Sequence, residues 1–364
     1  MTKVLEAGNL FVGGEFYYDK RWQAERPTDP SNGALFLNGG KACLMLICAY
    51  LRDRGIQRVL LPSYLCPTIV DTLEARGMNC DYYAVGADFS IDTQDLEQHL
   101  AENQAVYFIN YFGFSPNPVI LAYLESLRQR QIFLIEDNAQ AGFAPRTSGD
   151  FVFNSLRKLC PYDGGYLKTT YDLLPYLGAY QGRLNRRLPL IRQYRGQLRD
   201  YLFNDRGDPD ALENLYAQAE AYYISEPVVL GDEGERQQIE RLDWPAIKYA
   251  RRQNYKRLSQ LIAGNRAITP IFPELQADNL PLGLPVYVQA GLRDELNEYL
   301  GEHGIGLTIH WEDLATDQRL QRHPLAVAMA KRILTLTIDQ YTNEDQLQYL
   351  ARKLADFEHS INWP

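Results

Sequence analysis

Between residue 33 and about residue 170 the chain alternates two kinds of apolar segment, and this alternation constrains the fold more than any other feature of the sequence. One kind is helical. Residues 41–54 (KACLMLICAYLRDR) are apolar nearly all round and stop at Gly55, as a buried helix with a glycine stop would. Residues 67–76 begin on a proline and end before Gly77, residues 92–101 open on an acidic cap, and residues 118–129 begin on another proline. The other kind is short and continuously apolar: 59–61, 80–85, 105–110 (AVYFIN) and 131–135 (QIFLI), the last ending on Glu136-Asp137. Strands without polar alternation, separated by helices, predict a parallel sheet covered on both faces. Such sheets bind ligands at the carboxyl ends of their strands, where Asn110 and Asp137 both fall.

The rest of the chain reads differently. Residues 172–264 are mostly helical, rich in Arg, Tyr and Gln, and carry no motif. Residues 284–288, 306–310 and 333–338 are strand-like, 292–302 and 343–357 helical, the last introduced by Thr342. The expected architecture is a three-layer α/β domain with a mostly parallel sheet, followed by a small α+β C-terminal domain. The expected division is an N-terminal arm over 1–30, the large domain over 31–245 and the small one over 246–364.

Composition narrows the function classes. Hydrophobic residues make up 46% and charged residues 23%, too apolar for a disordered chain. The 37 Lys and Arg against 46 Asp and Glu give a net charge of −9, which repels a phosphate backbone and argues against a nucleic-acid partner. No apolar run approaches the ~18 residues that cross a bilayer, and residues 1–18 do not read as a secretory signal. Five Cys, at 43, 48, 66, 80 and 160, form no C-x-x-C pair and mostly sit in apolar segments. They read as reduced thiols of a cytoplasmic protein, with no metal site.

Two stretches carry chemistry. One is Ile135-Glu136-Asp137-Asn138-Ala139-Gln140, with a carboxylate at the tip of an apolar strand. The other is Ser155-Leu156-Arg157-Lys158, followed by Pro161-Tyr162-Asp163-Gly164-Gly165, where a lysine precedes a glycine turn into another strand. A third, Gly39-Gly40-Lys41, stands where an anion would meet a helix N-terminus. A cation in that first turn opposes the helix macrodipole unless an anion lies nearby. The glycines lack the other positions of an ATP-binding P-loop.

In their order and separations these stretches, with Pro62-Ser63-Tyr64, resemble a divergent branch of the DegT-like sugar aminotransferases, fold type I enzymes that use pyridoxal 5′-phosphate (PLP). The likeness runs over residues 33–170. Gly304-Ile305, His310-Trp311 and 334–341 resemble the small-domain segments of the same family.

The resemblance implies a homodimer with active sites at the subunit interface. It also implies amino transfer from glutamate or glutamine to a keto-sugar. Lys158 would condense with the cofactor's aldehyde and then shuttle protons. Asp137 would pair with the pyridine nitrogen, and Gln140 would contact the cofactor beside it. Gly39, Gly40, Lys41 and Ser155 would hold the phosphate, Tyr64 would stack on the ring, and Asn110 would face the same crevice. Each has a plainer reading: a solvated lysine at 158 or 41, a helix cap at 137, core at 64, a turn at 110. His310-Trp311 could line the cleft, but a histidine at a strand end reads more naturally as structural.

The chain also departs from the family. Lys41 replaces a hydroxyl residue, Cys66 stands where a ring-stacking aromatic is common, and the lysine loop is one residue short. These departures leave two rivals: a catalytically silent relative with a regulatory or structural role, and a PLP-dependent sugar dehydratase. In the dehydratase branch histidine replaces the lysine, so Lys158 counts against it.

Overall fold

The computed structural model describes residues 10–363 apart from 27–29, 32, 102–103, 205 and 226–227. The arm expected over 1–30 therefore lies partly outside the described residues. Within it, Val12–Gly13 pairs in parallel with Ile305–Gly306.

A seven-stranded sheet organises the first half of the chain. Its spatial order is Leu35–Leu37, Gly165–Thr169, Phe151–Asn154, Phe133–Asn138, Gln104–Ile109, Arg58–Pro62 and Asn79–Tyr83. From Phe151–Asn154 outward all neighbours are parallel. Gly165–Thr169 runs antiparallel to both of its neighbours. Every residue of Gln104–Ile109 is buried, as a strand covered on both faces requires. The sheet is mixed but mostly parallel, as the sequence pattern predicts.

The expected strand at 131–135 is displaced. Gln131 sits in a left-handed turn, and the strand runs from Phe133 through three polar residues to Asn138. Polar residues extend a buried strand only where their side chains find partners, and these do. That displacement carries Asp137 inside the sheet rather than past its end.

The helix Gly40–Asp53 starts from Gly39, whose φ of 111° favours glycine. A Cβ at Gly39 would lie 3.5 Å from Ser155 Oγ, and one at Gly40 3.2 Å from the Phe153 ring. The two glycines thus let the helix N-terminus close onto the lysine-bearing loop.

Residues 172–264 are mostly helical, as expected. Arg187–Asn204 and Pro209–Ser225 pack together through Leu188, Ile191, Tyr194, Leu198, Leu212 and Ala219. The second sheet is antiparallel, in the order Ile333–Leu336, Leu284–Val288, Ile268–Pro270. The strand expected at 306–310 is mostly absent: only Ile305–Gly306 joins a ladder, and Thr308 makes an isolated bridge to Thr335. Beyond it the chain turns into Glu312–Ala315. The final helix, Glu344–Ser360, is capped by Asn343 through a capping box, whereas the Thr342 hydroxyl bonds to Asp339. Among the described residues no helix is long and apolar enough to cross a membrane.

Candidate active site

Side chains alternate along a strand, so neighbouring residues of Phe133–Asn138 serve opposite faces of the sheet. Asp137 faces the helix Gly40–Asp53, because its register partner Phe153 packs on Gly40. Glu136 and Asn138 face away.

Both carboxylates are buried, and burial raises the pKa of each. Their surroundings differ. Glu136 accepts from Ser148 N at 2.7 Å, Gly149 N at 2.9 Å, Asn110 Nδ2 at 3.0 Å and Asn138 Nδ2 at 3.1 Å. Among the described residues Asp137 accepts only from the Tyr107 hydroxyl at 2.5 Å and Ala139 N at 2.7 Å.

Three residues beyond Asp137, Gln140 is buried. Its Oε1 accepts from Phe112 N at 2.7 Å, while its Nε2 has no partner among the described residues. Phe112 itself adopts a left-handed φ of 53°, an uncommon conformation for an aromatic residue. Its carbonyl accepts from Leu282 N at 2.9 Å.

Lys158 ends a short turn, Leu156–Lys158, whose base is fixed on all sides. Leu156 N donates to Gly164 O at 2.8 Å, Asn154 Oδ1 accepts from Tyr166 N at 2.8 Å, and Gln340 Nε2 donates to Leu159 O at 2.8 Å. Gln340 is held in turn by Arg251 Nε at 2.7 Å. Burial lowers the pKa of Lys158, opposed by the charge of Asp137. Lys158 and Asp137 thus feel one another, yet no direct ion pair joins them among the described residues. A carboxylate and an amine that feel one another without pairing leave bonding capacity for a further group.

Ser155 precedes that turn, next to Gly39 and Gly40. Lys41 lies in the first helical turn, but its Nζ reaches Tyr223 O at 3.4 Å and lies 5.7 Å from the Tyr223 ring centre. The same ring lies under Arg157, 4.5 Å away. Arg157 and Arg187 converge on Glu220 at 3.2 and 2.8 Å. Against the cost of burial, Arg157 and Arg187 hold the Glu220 carboxyl below the usual range. This cluster, which fastens Pro209–Ser225 to the lysine loop, left no motif in the sequence.

Two expected residues are turned elsewhere. Asn110 shares the Glu136 face: its Nδ2 donates to Glu136 Oε1 and to Asn138 Oδ1, so strand parity sends it away from Asp137. Tyr64 is enclosed by Phe89, Tyr111 and Trp311, and its hydroxyl donates to His310 O. Its ring is core, and it ties the end of the large sheet to the His310 segment.

His310, read as structural from the sequence, is near enough to Lys158 to feel its charge. Burial, with that charge, lowers its pKa to about 3, so the imidazole is neutral. Its Nδ1 lies 2.9 Å from Thr335 Oγ1 and its ring meets Phe112 edge-on. Among the described residues no group of three or more His, Cys, Asp or Glu side chains could hold a metal ion.

Comparison with known proteins places this geometry in a fold. No protein-family model and no curated protein matches the chain. Solved structures do. PseC, an aminotransferase of Helicobacter pylori involved in pseudoaminic acid biosynthesis, superposes with a TM-score of 0.67 at 13% identity, over 96% of this chain and 100% of that one. The sugar aminotransferase CalS13 of Micromonospora echinospora gives 0.61 at 16%, over 91% and 87%. Spr1654 of Streptococcus pneumoniae, solved in a PMP-form, gives 0.66 at 15%, over 97% and 92%. The chain is similar to all three along nearly its whole length, and it has their fold.

Proposed function

We propose that this chain is a PLP-dependent aminotransferase. In this reading it is a cytoplasmic homodimer that moves an amino group from glutamate or glutamine to a keto-sugar, with no nucleic-acid or membrane partner. One observation carries the reading: a buried, under-bonded Asp137, the unpartnered Nε2 of Gln140, a Lys158 amine of lowered pKa and the Gly39-Gly40-Ser155 cradle all meet at one edge of the sheet. The similar folds of aminotransferases, one of them solved in a PMP-form, support it.

The residues present fit the cofactor. Among the described residues Gln140 Nε2 is a buried donor with no acceptor, and Asp137 is a buried carboxylate with no bonded cation; a cationic ring bearing an oxygen substituent answers both. Gly39, Gly40 and Ser155 would take the phosphate at the helix N-terminus, with Lys41 adding charge once released from Tyr223. When bound, PLP supplies an aldehyde that captures amines and a ring that accepts electrons from the adjoining carbon.

Lys158 would attach that aldehyde through Nζ and, once displaced by a substrate amine, carry protons at the same atom. Its burial favours the neutral, nucleophilic amine. Asp137 would keep the ring nitrogen protonated, and neutral His310 would wall the crevice without competing for Asp137. Tyr64 and Asn110 support the walls.

Purified protein given PLP should gain a visible absorbance that borohydride abolishes, with the reduced adduct mapping to Lys158. Glutamate should then convert the cofactor to its amine form. Uptake of PLP without that conversion would favour the silent relative, for which the Lys41–Tyr223 contact speaks. No uptake would overturn the reading.

A further inference from the structure

Tyr107 stands in the middle of a strand whose six residues are all buried, and it has no exposed surface. An apolar side chain would serve that core position equally well. A tyrosine there adds a hydroxyl that must find a partner, and its partner is Asp137 Oδ2. The register explains the contact. Tyr107 pairs with Ile135, on the face that Asp137 shares, so its ring leans along the sheet towards the carboxyl edge. Phe153 lies beside the ring, 6.2 Å between centres, and Tyr83 Oη donates to Tyr107 O at 2.9 Å. The strand is thus fixed at its backbone and the ring at its side.

We infer that Tyr107 is the positioning residue of this site, aiming the free lone pairs of Asp137 into the crevice and weakening the carboxylate as a base. The inference rests on the PLP reading for what meets those lone pairs. Ala139 N holds Oδ1 and Tyr107 holds Oδ2, so the carboxylate cannot rotate. A hydrogen bond donated to a carboxylate stabilises its ionised form. Asp137 would therefore leave the shared proton on the ring nitrogen instead of taking it up, with no atom or charge added or lost. Lys158 acts on Asp137 in the same direction, whereas burial opposes both. The other titratable groups facing Asp137 are Tyr111 and Cys43, each kept protonated by burial.

The test compares Tyr107→Phe with Tyr255→Phe, which removes an equally buried hydroxyl that bonds to Phe272 O and touches neither Tyr107 nor Asp137. In the apo protein with ¹³C-labelled aspartate, Tyr107→Phe should raise the Asp137 midpoint by about one pH unit, and Tyr255→Phe should leave it in place. In the loaded protein, ¹⁵N-labelled PLP should show its nitrogen resonance move towards that of an unprotonated pyridine in Tyr107→Phe alone. Turnover should fall about tenfold, the factor matching one pKa unit.

Should Tyr107→Phe fold poorly, 3-fluorotyrosine at 107, a stronger donor of nearly the same shape, should lower the Asp137 midpoint. An unmoved midpoint in folded protein overturns the inference, as does a moved midpoint with an unchanged ¹⁵N resonance. A moved midpoint in a chain that takes up no PLP leaves the Tyr107–Asp137 coupling standing, while the PLP reading fails.

Discussion

The two faces of one strand end, separated by a single residue, have opposite characters. On one face Glu136 is met by four donors, which leaves nothing for a ligand to do. On the other, Asp137 has two donors and a neighbouring amine that does not reach it. Burial raises both pKa values, so the titration shift alone does not separate them. Saturation does. A carboxylate with every lone pair engaged organises its loop, and one left partly bare awaits something cationic.

The comparison can be broken first at the amine that faces the bare carboxylate. Lys158→Ala should cut turnover by about 10³-fold and abolish borohydride labelling, with the melting temperature little changed. Next come the carboxylates themselves. Asp137→Asn should lose about 10²-fold in turnover and little stability, by steady-state kinetics and denaturant titration side by side. Glu136→Gln should do the reverse, costing about 2 kcal/mol of stability while the surviving enzyme keeps its kcat, because an amide cannot accept all four donors. Equal losses of turnover in the two variants would sink the distinction.

A smaller effect is expected at the edge of the bare face. Lys41→Met should weaken PLP binding about tenfold, or about 1.4 kcal/mol, in an equilibrium titration. Unchanged affinity would mean that Lys41 takes no part in holding the cofactor.

The smallest effect concerns pH. The folded-state pKa of Glu220 lies below its ordinary 4.5. Its ion pairs therefore stabilise the fold above pH 4.5, and that contribution is lost as pH falls through the lower folded value. Chemical denaturation across this range should show the loss, and Glu220→Gln should remove that component.

Much of the site was legible in the sequence, for a physical reason. A buried parallel strand tolerates few polar residues, so a carboxylate closing one is conspicuous, and so is a lysine before a glycine turn. The sequence marks Asp137, Gln140, Ser155 and Lys158 as candidates in that way, and its strand pattern predicts the mostly parallel sheet that the structure has. What was hidden depended on direction. Asn110 lies at the right strand end but on the wrong face, and only the register with Phe133–Asn138 reveals this. Tyr107 passes for ordinary core because its hydroxyl matters only through a residue thirty positions away. Tyr64, expected to stack on a cofactor ring, lies just past a strand end, and the aromatic rings that enclose it come from distant segments. Glu220 and its arginines sit in helices of ordinary composition, where nothing local marks a contact with the lysine loop.

The amide of Gln340 hangs the lysine loop from the C-terminal part of the chain, with Arg251 gripping the other end of the same side chain. A loop suspended in this way cannot outlast the scaffold that holds it. Heating should therefore give one calorimetric peak rather than two, and a ligand gripped at the loop should carry that whole peak upward.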